Sequence, residues 1–123
     1  MAALSLFVSL LLIGATPPNA PPARAGDCRW VHGRFAIYNG SSLRRIWIIG
    51  TRRIIALKDD DSELPPEVEQ YQQGSASYGG FEDALFGDFY VCAIDASRPG
   101  HMQHVRLERT RNLKFRGKPF PPK

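Results

Sequence analysis

RWVHGRFAIYNGSSLRRIWIIGTRRIIAL, residues 29–57, decides the fold. Residues 29–39 are rich in β-branched and aromatic side chains and end in Asn39-Gly40, a pair suited to the positive φ that both central positions of a type I′ turn require. Residues 43–49 and 52–57 are again β-rich, and Gly50-Thr51 between them puts glycine where a type II′ turn needs it. The stretch therefore predicts a three-stranded meander. Alternation assigns its faces: Val31, Phe35 and Ile37 share one side of the first strand with Gly33 and form its core side, while Trp30, His32, Arg34, Ala36 and Tyr38 share the other. Cys28 falls in register with Trp30, so either its bond lies outside the main core or a bulge near Gly33 resets the parity.

Beyond the meander the character changes. Residues 58–83 run through acids, Pro65-Pro66 and a Gln, Gly, Ser and Tyr mixture, which predicts a long loop, with mobility favoured over Gly74 to Gly80. One or two turns of helix fit after the prolines at Glu67 to Gln70, because proline suits a first helical turn and early acids suit the helix dipole. Strand character resumes over 86–94, Ser97-Arg98-Pro99-Gly100 supplies a turn, and a further strand covers 102 to about 110. The expected architecture is all-β: a small antiparallel β-sandwich or partly open barrel of about five or more strands with one disulfide. Residues 26–111 form the single domain, and 112–123 form a basic, proline-rich tail that frays.

The chain opens with an apolar run from Leu4 to Ala15, followed by prolines and Ala23-Arg24-Ala25, which reads as an export signal cleaved after residue 25. The run is too short to span a bilayer, so no membrane span is expected once it is removed. About 98 of the 123 residues then remain, enough for one thin core. Export also sets the reading of Cys28 and Cys92, the two cysteines of the chain: in an oxidising compartment a lone pair is a structural disulfide rather than a metal or redox site.

The formal net charge of +4 is sorted along the chain. Seven bases and no acid lie between Cys28 and Lys58, six acids and no base from Asp59 to Glu69, and seven bases against Glu108 alone from Arg106 to Lys123. Balance within the molecule is one account of this sorting, and a basic face for an anionic partner is the other. Trp30, His32, Arg34 and Tyr38 on the first strand, with Arg45 and Trp47 on the second, form the candidate ligand-binding face, since rings offer stacking area and guanidinium groups offer forked donors. The competing reading packs both tryptophans beneath a loop or a second sheet.

Other chemistry is thinly supported. His32, His101 and His104 read as surface histidines, because a spacing of three does not put the last two on one strand face, and no metal site or cofactor is expected. Asp59, Asp61 and Glu63 alternate as in a calcium loop, but Leu64 stands where such a loop needs glycine. Ser41 and Ser42 lack a nucleophile-elbow context, and Asp88 and Asp95 lack an identified cleft, so no catalytic residue is assigned. Asn39-Gly40-Ser41 matches a glycosylation pattern that its role as a turn already explains. Five strands and a pI near 9.4 would suit an oligonucleotide-binding barrel, but export argues against nucleic acid.

Two groups of motifs, His32-Gly33-Arg34 through Tyr38-Asn39-Gly40 to Arg45-Ile46-Trp47 and Gly50-Thr51-Arg52, and then Gly87 to Cys92, resemble segments of small exported bacterial proteins. The resemblance implies a periplasmic or secreted bacterial β protein with paired cysteines and transfers no catalytic residue. The expected function is a non-enzymatic module that engages a protein or an anionic envelope glycan. One alternative is an inhibitor of an extracellular or envelope hydrolase acting through residues 59–80. Another is an envelope hydrolase built around Asp88, Asp95 or His101.

Overall fold

A computed structural model describes residues 19–38, 43–57, 64–74 and 83–122. Its elements are β1 (Cys28–Tyr38), β2 (Leu43–Ile48), β3 (Ile54–Leu57), α1 (Pro66–Gly74), β4 (Leu85–Ala93), β5 (His104–Phe115) and β6 (Lys118–Pro119). The sheet order is β3-β2-β1-β4-β5-β6, and an additional pairing of β3 with β5 closes five of the strands into a barrel. That closing pair is parallel, with Ala56 opposite His104 and Leu57 opposite Val105, which corrects the expectation of an entirely antiparallel sheet. The reason is parity. The other four neighbours in the ring are antiparallel, and an odd number of strands cannot alternate all the way round, so β3 and β5 run the same way. Five strands in a closed Greek-key ring, with a helix between the third and fourth, is the plan of an OB-type barrel.

The interior is apolar, as the alternation predicts. Val31, Phe35 and Ile37 from β1 meet Ile46 and Ile48 from β2, Ile55 and Leu57 from β3, Leu85, Phe89 and Val91 from β4, and Val105 and Leu107 from β5. Two irregularities in the β4–β5 register each put an extra residue on β5, and Asn112 near one of them has φ 55°. Such bulges bend a strand strongly enough to help a small ring close. Gly33 and Gly87 face each other across β1 and β4. A Cβ at Gly87 would stand 3.0 Å from the Asn112 carbonyl oxygen and 3.1 Å from that of Arg111, so the close approach of bulged β5 requires glycine there.

Helix α1 closes one end of the barrel. Pro66 occupies its first position, the Val68 and Glu69 amides donate to the Pro65 carbonyl, and Glu67 and Glu69 lie in the first turn. Val68 is fully buried, and Tyr71 sets its ring edge-on to Phe35, Phe115 and Phe120. The helix is longer than the one or two turns expected, because these two inward side chains recruit it to the core. The same cluster overturns the expectation that residues from 112 onward fray: Leu113 is buried, Phe115 ends β5, and the β5–β6 hairpin returns Phe120 to the core edge.

Cys28 sits directly opposite Cys92 and is bonded to it. β1 keeps its parity through Gly33, so of the two readings left open the disulfide lies outside the main core, on the Trp30 side. Residues 19–25 dock against the barrel. The Asn19 side chain donates to the His32 and Ile49 carbonyls and accepts the His32 amide, each at 2.8 Å. Pro22 is buried, and its carbonyl accepts a 2.8 Å bond from buried Gln103.

Candidate functional site on the outer barrel face

Outward-pointing positions of four adjacent strands bring aromatic rings and guanidinium groups together. On β1 they are Trp30, His32 and Arg34. The β1–β4 register sets Trp30 opposite Tyr90 and His32 opposite Asp88, and the β4–β5 register sets Tyr90 opposite Arg109 and Asp88 opposite Arg111. The Trp30 and Tyr90 rings lie 5.2 Å apart. Arg109 sits over both, 4.6 Å from the Tyr90 centroid and 5.6 Å from that of Trp30, while Arg111 stands 4.1 Å from Trp30. Each cation over a ring contributes about 0.5–1 kcal/mol at an exposed position, so the arrangement orders long side chains that would otherwise sweep through water.

Asp88 anchors this group. Its Oδ2 accepts bonds from Arg111 Nε and Asn112 Nδ2, each at 3.2 Å, and its Oδ1 faces His32 Nδ1 at 3.1 Å. Partial burial pushes the Asp88 carboxyl up, but the bonds from Asn112, His32 and Arg111 outweigh it and hold the group below the ordinary aspartate range. The carboxylate thus fixes the direction of Arg111 without neutralising Arg109.

The face continues on the other side of β1. Arg34 is opposite Trp47, Ala36 is opposite Arg45, and β3 adds Ile54 opposite Trp47 and Ala56 opposite Arg45. Trp47 is half-buried, and its Nε1 donates to the Thr51 carbonyl at 2.8 Å, which pins the indole to the β2–β3 turn. Ile54 beside it is 38 % exposed. Tyr38 ends β1 opposite Leu43. Of the residues expected to form the face, Trp30, His32, Arg34, Arg45 and Trp47 do share the outer side. They form two groups, because Trp47 pairs with Arg34, four positions along β1 from Trp30, or roughly 13 Å. Among the described residues no second sheet covers either tryptophan.

The partners of Trp30 were missed by sequence reasoning. Tyr90, Arg109 and Arg111 carry a signal of their own, since Phe86, Asp88 and Tyr90 alternate outward, as do Arg109 and Arg111. Pairing β4 with β1 and with β5 is what turns those separate alternations into one cluster.

All three histidines lie at the surface, as expected, but the spacing of His101 and His104 does not keep those two apart. His32 joins Asp88, but His101 and His104 converge on Asp95, although only His104 belongs to a strand. The β4–β5 connection folds back so that the Ile94 amide bonds the His104 carbonyl at 2.9 Å, which brings both imidazoles to one carboxylate. Asp88 and Asp95 accordingly serve separate clusters and are not a carboxylate pair. Ser41, Ser42, Asn39-Gly40, Asp59, Asp61 and Glu63 fall outside the described residues, as does 75–80.

No protein-family model, curated protein or solved structure matches the chain. A disulfide is present, and among the described residues no helix is long and apolar enough to cross a membrane; both are compatible with an extracellular or periplasmic protein.

Proposed function

We propose that the protein is an exported, non-enzymatic binding module that engages an anionic glycan through the outer face of β2, β1, β4 and β5. The observation that carries this reading is the stack of Trp30 and Tyr90 with Arg109 and Arg111, continued across His32 and Arg34 to Trp47 and Arg45. Sugar rings pack on aromatic faces, and guanidinium groups offer paired donors to carboxylate or sulfate. A rigid barrel wall presents these groups at low ordering cost. OB-type barrels that bind oligosaccharides or oligonucleotides use the strand 2–3 face, where Trp47, Arg45 and Ile54 lie; this likeness is one of architecture alone.

Export belongs to the same reading, with processing ahead of Asn19 rather than after Ala25. Cleavage after residue 25 would remove the Asn19 bonds and the buried Pro22. The inhibitor reading, which uses residues 59–80, is less favoured because α1 within that segment turns Val68 and Tyr71 into the core.

Titration with dextran sulfate, with neutral dextran as control, tests the proposal. Wild-type protein binds the sulfated polymer alone, and the complex weakens as ionic strength rises from about 0.01 to 0.15 M, where screening shortens from roughly 30 to 8 Å. Arg109→Ala with Arg111→Ala, and separately Trp47→Ala, each weaken binding at least about tenfold, equivalent to 1.4 kcal/mol. Equal binding by all variants overturns the assigned face. Equal binding of both polymers overturns the anionic specificity.

A further inference from the structure

We propose that Asp95, His101 and His104 form a binding site for a divalent first-row transition-metal ion such as zinc. One ligand atom from each residue lies within 4.8 Å of the other two. His101 Nε2 is 2.9 Å from Asp95 Oδ2, and His104 Nδ1 is 3.7 Å from the same oxygen. Donors at 2.0–2.1 Å from a tetrahedral zinc stand about 3.3 Å apart, so the two measured spacings bracket the geometry a metal needs. Small rotations of two exposed imidazoles supply the remainder.

The chain prepares this arrangement independently of any metal. Asp95 Oδ1 accepts the His104 backbone amide at 2.7 Å, which directs Oδ2 toward both imidazoles. Gln103, buried between the two histidine positions, donates one bond to the Asp95 carbonyl at 3.0 Å and another to the Pro22 carbonyl at 2.8 Å. Gly100, with φ 72°, and the bond from the His101 amide to the Arg98 carbonyl make the turn that swings His101 back over Asp95. Carboxylate and backbone are therefore held, while the imidazoles keep the freedom to close.

Two imidazoles and one carboxylate suit zinc, copper, nickel or cobalt and are poorly matched to calcium or magnesium, which take oxygen ligands. Three protein ligands also leave a position open, as in zinc sites that hold water or an exogenous ligand. His101 borders a cleft of about 260 Å³ that Arg52 and Arg53 also line. The pattern Asp-x5-His-x2-His escapes a strand-based reading because His101 lies in the turn and the carboxylate arrives from the end of the neighbouring strand.

Isothermal titration of tag-free protein with zinc chloride, followed by cobalt chloride for its visible absorption, tests the assignment. One equivalent binds, cobalt gives the intense d–d bands of a four-coordinate site, and calcium gives no heat. His101→Ala and His104→Ala each weaken zinc binding more than about 100-fold, beyond the 10–100-fold typical of losing an outer-shell partner, while His32→Ala has no effect. Circular dichroism and thermal melts of the metal-free variants check that the barrel is intact, since both histidines are exposed. Undiminished binding by folded His101→Ala and His104→Ala, or no zinc binding by the wild type at 100 μM, overturns the site.

Discussion

Asp88 shows how one side chain organises the outer face. Three neighbours bond to its carboxylate and hold it below the ordinary aspartate value against the opposing effect of burial. A group whose folded value is depressed stabilises the fold wherever it is ionised in the unfolded chain, and that contribution disappears as pH falls from about 3.9 through the folded value. Asp88→Asn should therefore lower stability by about 1–2 kcal/mol near neutral pH. Urea midpoints of wild type and variant should converge only below about pH 4. A gap that persisted unchanged at pH 2 would show that the carboxylate charge is not the source.

At the scale of elements, α1 and the C-terminal hairpin act together through Tyr71. Its ring packs on Phe35, Phe115 and Phe120, and its hydroxyl donates to the Asp83 carbonyl. Tyr71→Ala should cost about 3–5 kcal/mol by opening the barrel end, whereas Tyr71→Phe should cost about 1 kcal/mol by losing the hydroxyl bond. Chemical denaturation separates the two, and equal losses would contradict the packing account. These contacts also mark the limit of what the sequence discloses. The meander was legible because Val31, Phe35 and Ile37 share one parity, His32 and Arg34 share the other, and turn signals bound each strand. The helix extent and the ordered tail were not legible, since Tyr71, Leu113, Phe115 and Phe120 follow no common period and meet only when α1 covers the barrel. Likewise Trp30, His32, Arg34, Arg45 and Trp47 could be placed on one face by alternation within two neighbouring strands. Tyr90, Arg109 and Arg111 needed strand order, which local pattern does not contain, and the Asp95 cluster needed the path of a connection.

Across the whole molecule, covalent and docking contacts tie the barrel together. The Cys28–Cys92 bond joins residues 64 apart, and closing such a loop is worth roughly 4 kcal/mol in the chain-entropy model, a large fraction of the ~5–15 kcal/mol of a typical domain. Cys28 is exposed but Cys92 is buried, so Cys28→Ser with Cys92→Ser should lose that stabilisation together with the cost of leaving a hydroxyl at a buried position, and a guanidinium titration of both forms measures the sum. Mass spectrometry of the exported protein should find an N-terminus at or before Asn19. Removing residues 19–25 should lower the melting temperature, because it strips three bonds from the His32 and Ile49 backbones and uncovers the site of Pro22. A mature chain that begins at Gly26 and melts no lower than the longer form would refute that boundary. The outer face itself is best tested by recording backbone amide NMR spectra of ¹⁵N-labelled protein during titration with dextran sulfate. The account predicts saturable shifts concentrated around Trp30, His32 and Arg34 on β1, Arg45 and Trp47 on β2, Tyr90 on β4, and Arg109 and Arg111 on β5. Shifts confined to residues 59–80, or no shifts at all, would contradict it.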